Sequence, residues 1–133
     1  YEIPLRLVGS EMCIRDRTVP LARLWGRELT NFWVHVNTRS KALKDAMCGF
    51  RVYPIAQTLP VLPSVRTRRM DFDPDIAVRL LWAGVPVINR PVRVTYPKDG
   101  ISHFRGFSDN MRISRLHAEH FCTMLLRRMG LAK

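Results

Sequence analysis

The sequence predicts a mixed α/β domain. Segments with helical apolar spacing alternate with short β-rich segments bounded by Pro and Gly, the pattern of helices packed on strands. Apolar residues make up 47% of the 133 residues, enough for one buried core. The 9 Pro and 7 Gly punctuate those segments and form no low-complexity run. The chain contains no glycine-rich phosphate loop and no βαβ nucleotide-binding unit, so a complete doubly wound domain is not expected.

In chain order, residues 1–17 read differently from the rest. Met12-Cys-Ile-Arg-Asp-Arg17 resembles the translation of a transposon end used to prepare sequencing libraries, with Ser10-Glu11 before it. The segment is set aside from fold reasoning as a non-native scar; an ordinary amphipathic start is the other reading. Glu2, Arg6 and Glu11 break any signal-peptide core. Residues 18–133 form the domain to be explained.

From Pro20 to about Leu43 the spacing predicts a helix. Leu21, Leu24, Trp25, Leu29, Phe32, Trp33 and Val36 recur at steps of three and four, and Pro20 suits a first-turn position. This stripe is either core or a contact with a lipid surface, where tryptophan is favoured. Cys48 to Tyr53 reads as a strand with Gly49 allowing close backbone approach. Pro54 to Pro63 reads as a helical turn, and Arg66, Arg68 and Arg69 as a basic loop. Asp73-Pro74-Asp75 has the chemistry of a helix start, with an acidic cap and proline in the first turn. That helix should stop at Gly84. Two strands follow, Val85–Asn89 and Val92–Tyr96, divided by Pro91. Lys98-Asp99-Gly100 is a turn. Ser108 to Met129 predicts a last helix, with Met111, Ile113, Leu116, Phe121, Met124 and Leu125 on one side and arginines opposite.

The net charge of +11 lies wholly in residues 18–133, since residues 1–17 hold three acids and three basic residues. A balance this basic points to nucleic acid, an anionic membrane surface or phosphorylated substrates. Arginine far outnumbers lysine, which suits bidentate contacts with phosphate and carboxylate. No apolar run approaches the ~20 residues of a membrane span. Cys13, Cys48 and Cys122 have no metal-ligand spacing and fit reduced thiols of a cytoplasmic protein. Cys48 has no motif histidine nearby and reads as structural. His117 and His120 share a helix face but lack a third ligand for zinc.

Three segments gather acids, arginines, glycines and aromatics at element boundaries: Asp45-Ala-Met-Cys-Gly-Phe-Arg51, Met70-Asp-Phe-Asp-Pro-Asp75 with the following Ile-Ala-Val-Arg-Leu, and Tyr96-Pro-Lys-Asp-Gly-Ile-Ser-His-Phe-Arg105. The acids of the second could cap a helix, bind Mg²⁺ or Mn²⁺, or act as a base. Asp45 and Arg51 could be a buried pair holding a loop, or ligands for a substrate phosphate and hydroxyl.

The order and spacing of these segments, with Arg23-Leu-Trp-Gly-Arg-Glu-Leu-Thr-Asn-Phe-Trp33 before them, resemble the acceptor-side half of a family 2 glycosyltransferase over residues 21–129. The nearest likeness is to polyprenyl-phosphate sugar transferases of bacterial lipid or polyene glycoconjugate pathways. The resemblance implies a partial GT-A fold whose nucleotide-binding half and Asp-x-Asp metal motif would lie upstream of Thr18. It implies sugar transfer from a nucleotide-diphosphate donor to a lipid-linked or glycan acceptor, with inversion. Asp73 would be the base, with Asp75 beside it and Asp45 orienting Arg51 or the acceptor. Arg51 would hold a phosphate; His103 and Arg105 would meet the leaving diphosphate. A divalent metal, Mg or Mn, would be needed by the full-length enzyme, with no ligand here. The implied site of action is the cytoplasmic, inner face of the membrane, and the isolated half would be inactive and prone to associate. The alternative is a small basic module binding anionic lipid or nucleic acid. Nucleic acid is disfavoured, because no helix-turn-helix, zinc or aromatic RNA-binding signature is present.

Overall fold

The computed structural model describes residues 7–12, 21–92 and 105–132. Among them the protein is mixed and mostly helical. Strand β1 is Leu7–Met12, followed by helix α1, Leu21–Thr38. A short helix α2, Ile55–Thr58, and a 3₁₀ turn, Leu62–Ser64, lead to helix α3, Phe72–Trp82. Strand β2 is Val87–Val92, and helix α4 is Gly106–Arg128.

The only sheet among the described residues is a parallel pair of β1 and β2, in register from Leu7↔Val87 to Met12↔Val92. The segment set aside from fold reasoning thus supplies a strand. A free strand edge is a row of unpaired N–H and C=O groups, and Leu7-Val8 has the β-propensity to pair with it. Pro91 does not divide β2 as expected. In a two-stranded ladder both strands are edges, where a missing N–H is tolerated. The expected strand Val92–Tyr96 and the turn at Lys98-Asp99-Gly100 fall outside the described residues after Val92.

Helix α1 ends at Thr38, five residues before the expected Leu43. The Thr38 hydroxyl donates to the Val34 carbonyl at 2.7 Å, and Arg39 takes a left-handed φ of 53° that stops the helix. Leu43 is buried from the following loop instead. The expected strand at Cys48–Tyr53 does not form; only Val52 makes an isolated bridge. There Arg51 is drawn to backbone carbonyls of Asp45 and Asp73 rather than lying along a ladder.

Helix α3 is the centre of the molecule. Pro74 to Val78 and Leu80 are all buried, so the helix is covered on most of its circumference, Asp75 included. Ala77 and Val78 pack with Val34, Leu43 and Ala46, while Ile76 and Leu80 pack with Val85. The helix stops at Gly84, as its sequence predicts. Gly84 has φ +78°, its N–H donates to Leu81 O, and the Val85 N–H donates to Leu80 O, a Schellman closure with the accompanying Val85–Leu80 contact. Gly84→Ala is expected to lower stability by about 1–2 kcal/mol, because a Cβ disfavours that conformation; equilibrium urea unfolding reads the change. Gly130, φ +73°, closes α4 in the same way.

Helix α1 is turned inside out. Its buried face carries Arg27, Thr30, Asn31 and Asn37 besides Val34. Its exposed face carries Leu21 and Trp25, 74% and 75% accessible, with Leu29 and Phe32 beside them. The buried polar groups have work to do: Asn31 Oδ1 accepts from the Ala46 N–H at 2.8 Å, and Asn37 Nδ2 donates to His117 O at 3.4 Å. The expected apolar stripe is therefore split, with only part of it in the core.

Candidate functional site

Three of the sequence-selected residues meet where the loop after α1 approaches the start of α3. Asn31 holds the Ala46 backbone, and the Asp45 carboxylate folds back on the Met47 N–H at 3.0 Å. Asp45 Oδ2 is buried without a partner. Burial raises the Asp45 pKa, against the lowering pull of the Met47 N–H and of Arg27 and Arg51. Arg51 bridges the two segments. Its Nη2 donates to Asp45 O and its Nη1 to Asp73 O, both at 2.9 Å.

Asp73 was expected as the cap of α3. The helix begins two residues earlier, at Phe72, and Asp71 occupies the capping position, its Oδ1 accepting from the Arg69 N–H at 3.2 Å rather than from the helix. Asp73 is freed from capping. Its Oδ2 lies 3.5 Å from where a Cβ would stand on Gly49, so the carboxylate lies over that glycine. Burial raises its pKa, opposed by the nearby Arg51 charge. The Tyr53 hydroxyl, which the sequence reading missed, is buried beside Arg51 without a hydrogen-bond partner; burial raises its pKa too, so it remains a donor. Its place near the end of the expected strand was the only available signal. The arrangement offers a half-buried carboxylate of raised basicity beside a fixed guanidinium and a phenol.

Asp75 faces elsewhere. Its Oδ1 accepts from Arg79 Nε at 2.7 Å and lies 2.9 Å from His120 Nε2, and its Oδ2 accepts from Thr67 at 2.9 Å. Burial works to raise its pKa, but the hydrogen bonds from His120, Arg79 and Thr67 hold it below the ordinary value. With both oxygens engaged, this carboxylate ties α3 to α4 and offers no free edge to an acceptor. Asp71, Asp73 and Asp75 thus diverge, and among the described residues no three acidic, His or Cys side chains converge as a cation site.

Arg105 caps α4 with an exposed side chain. Its N–H donates to Asp109 Oδ2 at 2.7 Å, and the buried Asp109 also pairs with Arg69 Nε at 3.6 Å. Asp109 therefore fastens the start of α4 to the loop before α3. His103 lies outside the described residues.

The buried face of α4 is Asp109, Ile113, Leu116, His117 and His120; Met111, Phe121 and Leu125, expected on the same side, are exposed. Burial, with a smaller push from His120, lowers the His117 pKa from 6.5 to about 4. Between those values the unfolded chain takes up a proton that the native state refuses. Stability should then fall on acidification, at about 1.4 kcal/mol per pH unit. Asp45 and Asp73, with raised values, take up protons in the native state and flatten the lower end of this window. Denaturant midpoints measured across the window should lose most of the slope in His117→Phe.

No family model, curated protein or solved structure matches this chain.

Proposed function

We propose that residues 18–133 form the acceptor-side part of a glycosyltransferase with a partial GT-A fold, and that Asp73 is its general base. The observation that carries this reading is the meeting of Asp45, Arg51 and Asp73 through two 2.9 Å hydrogen bonds. An acceptor hydroxyl is a weak nucleophile at neutral pH and needs a positioned base. In the reaction, the hydroxyl oxygen attacks the anomeric carbon, its proton passes to Asp73, and the nucleotide diphosphate leaves with the bonding electrons. Inversion follows from a single displacement. Arg51, locked by two carbonyls, holds the local charge balance beside Asp73. Arg105, exposed at the start of α4, would meet the departing diphosphate in this reading. The divalent metal and donor-binding residues are assigned to chain outside these 133 residues, and no step here runs through a metal.

The acceptor class in this reading is lipid-linked, and the site of action is the surface of an anionic membrane on its cytoplasmic side. The exposed Leu21, Trp25, Leu29 and Phe32 of α1 support it, as does the net charge of +11. No described helix is long and apolar enough to cross a membrane. The reading predicts co-sedimentation with phosphatidylglycerol vesicles, weakened at least tenfold in Trp25→Ser/Phe32→Ser and much weaker on phosphatidylcholine. Equal binding to duplex DNA, with the same salt slope, would favour the basic-module alternative.

Long-read sequencing of the source DNA upstream of Thr18 tests the enzyme reading. A continuing frame with a βαβ pattern and an Asp-x-Asp motif supports it. A natural frame beginning with Tyr1–Arg17 sinks it.

A further inference from the structure

A pocket of about 680 Å³ opens among the 3₁₀ turn, α3 and α4, within the range of small-molecule sites. It shares no residue with the Asp45–Arg51–Asp73 cluster. Three arginines line it, Arg66, Arg79 and Arg115, against one acid, Glu119.

The Asp75 carboxylate sets two of these arginines. Its Oδ2 accepts from Thr67, the residue after Arg66, and its Oδ1 accepts from Arg79 Nε at 2.7 Å. Arg66 is thus carried on a tethered loop, and Arg79 is anchored. Arg79 is held through Nε, and neither of its Nη groups has a partner among the described residues. Arg66 is exposed, with no ion pair or hydrogen bond among the described residues. Arg115 gives its Nε to Glu119 at 2.8 Å, in an exposed pair of a kind that holds weakly. The three guanidiniums therefore keep uncommitted N–H groups beside one opening.

The hydroxyls of Ser64 and Thr123 also line the pocket. Both donate to main-chain carbonyls, of Val61 at 2.6 Å and of Glu119 at 2.8 Å. Their protons are spent, so recognition rests on the guanidiniums. A guanidinium bonds charged oxygens far more strongly than neutral ones. A carboxylate brings two such oxygens, whereas a phosphomonoester brings three and close to two negative charges. The second better matches three arginines.

We propose that this pocket binds a phosphomonoester, its terminal oxygens held by Arg66, Arg79 and Arg115. The site does not rest on the transferase reading, and either can fail alone.

The test is calorimetric titration of the 133-residue chain with glycerol 3-phosphate, glycerol and acetate. Slightly alkaline pH keeps the phosphate a dianion, and about 0.15 M salt screens distant charges. The expected result is saturable binding of glycerol 3-phosphate, at least about tenfold tighter than acetate, and no saturable binding of glycerol. Arg66→Gln and Arg115→Gln alter exposed side chains that hold no part of the core. Both should keep the circular dichroism spectrum and lose affinity by at least about fivefold. Lys41→Gln removes the same charge at an exposed position outside the pocket and should leave affinity within about twofold. Phosphatidylcholine vesicles containing phosphatidic acid separate the two sources of the ester. Binding of glycerol 3-phosphate assigns the site to soluble esters. Vesicle capture that needs Arg66, without binding of glycerol 3-phosphate, assigns it to a lipid headgroup. The proposal is overturned if neither binds, if glycerol binds as tightly as its phosphate, or if Lys41→Gln loses as much affinity as Arg66→Gln.

Discussion

Asp75→Ala is expected to lower the stability of the chain by about 3–5 kcal/mol, because it removes the acceptor from a buried set of three donors. Asp75 and His120 are each 1% accessible and 2.9 Å apart, and Arg79 and Thr67 complete the set. Removing the carboxylate strands His120 Nε2, whose Nδ1 already lacks a partner, and leaves Arg79 with only partial access to water. A domain of this size has roughly 5–15 kcal/mol in hand, so the variant should melt at least about 10 °C lower or fail to fold. His120 also packs edge-on against Trp82 at 5.3 Å, so α4 should be the first element to detach. Hydrogen exchange would show this as early loss of protection across Gly106–Arg128. The double replacement Asp75→Leu/His120→Leu removes both buried partners and should recover much of the loss, since replacing both members of a buried hydrogen-bonded pair by apolar groups is often nearly neutral. A single Asp75→Ala variant within about 1 kcal/mol of the parent would rule out this account of α4 docking.

The second large effect is chemical. Once the frame upstream of Thr18 is restored, Asp73→Asn should reduce sugar transfer by about 10²–10⁴-fold, the range contributed by a positioned base. The loss should fall on kcat, with acceptor KM little changed, because the amide keeps the shape over Gly49 and loses only the proton-accepting role. Stability should hold or rise slightly. Asp73 has a raised pKa in the native state, so its ionised form contributes nothing to holding the fold at neutral pH. Arg51→Lys separates the two roles at this site. A lysine cannot donate to Asp45 O and Asp73 O in the same forked geometry, so it should disturb the loop as well as the rate. Unchanged turnover in Asp73→Asn would remove the base from this residue.

The local punctuation of the chain was legible in its sequence. Gly84 and Gly130 mark helix ends because both need a positive φ, a requirement set by the missing Cβ alone. The helix that begins near Asp73-Pro74-Asp75 was announced by its first-turn acids and proline, though its start lies two residues earlier. The three motif-bearing segments were also visible, because acids and arginines at element boundaries are local chemistry. Their division of labour was not. Asp73 and Asp75 are two residues apart in one first turn, yet one lies over Gly49 and the other is sealed against His120, forty-five residues further on. Helical rotation sends them to different faces, and only the packing of α4 decides which face is closed. The same holds for α1. Its apolar spacing fixes the helix but not the direction of the stripe, and Asn31 faces the interior, where its Oδ1 satisfies the Ala46 N–H, with Asn37 Nδ2 near His117 O. Composition and spacing marked the three long helices but not the strands: Cys48–Tyr53 stays irregular, and β2 pairs with Leu7–Met12. Tertiary structure decided which side of each is buried, because burial belongs to pairs of surfaces and a sequence lists only one of them at a time.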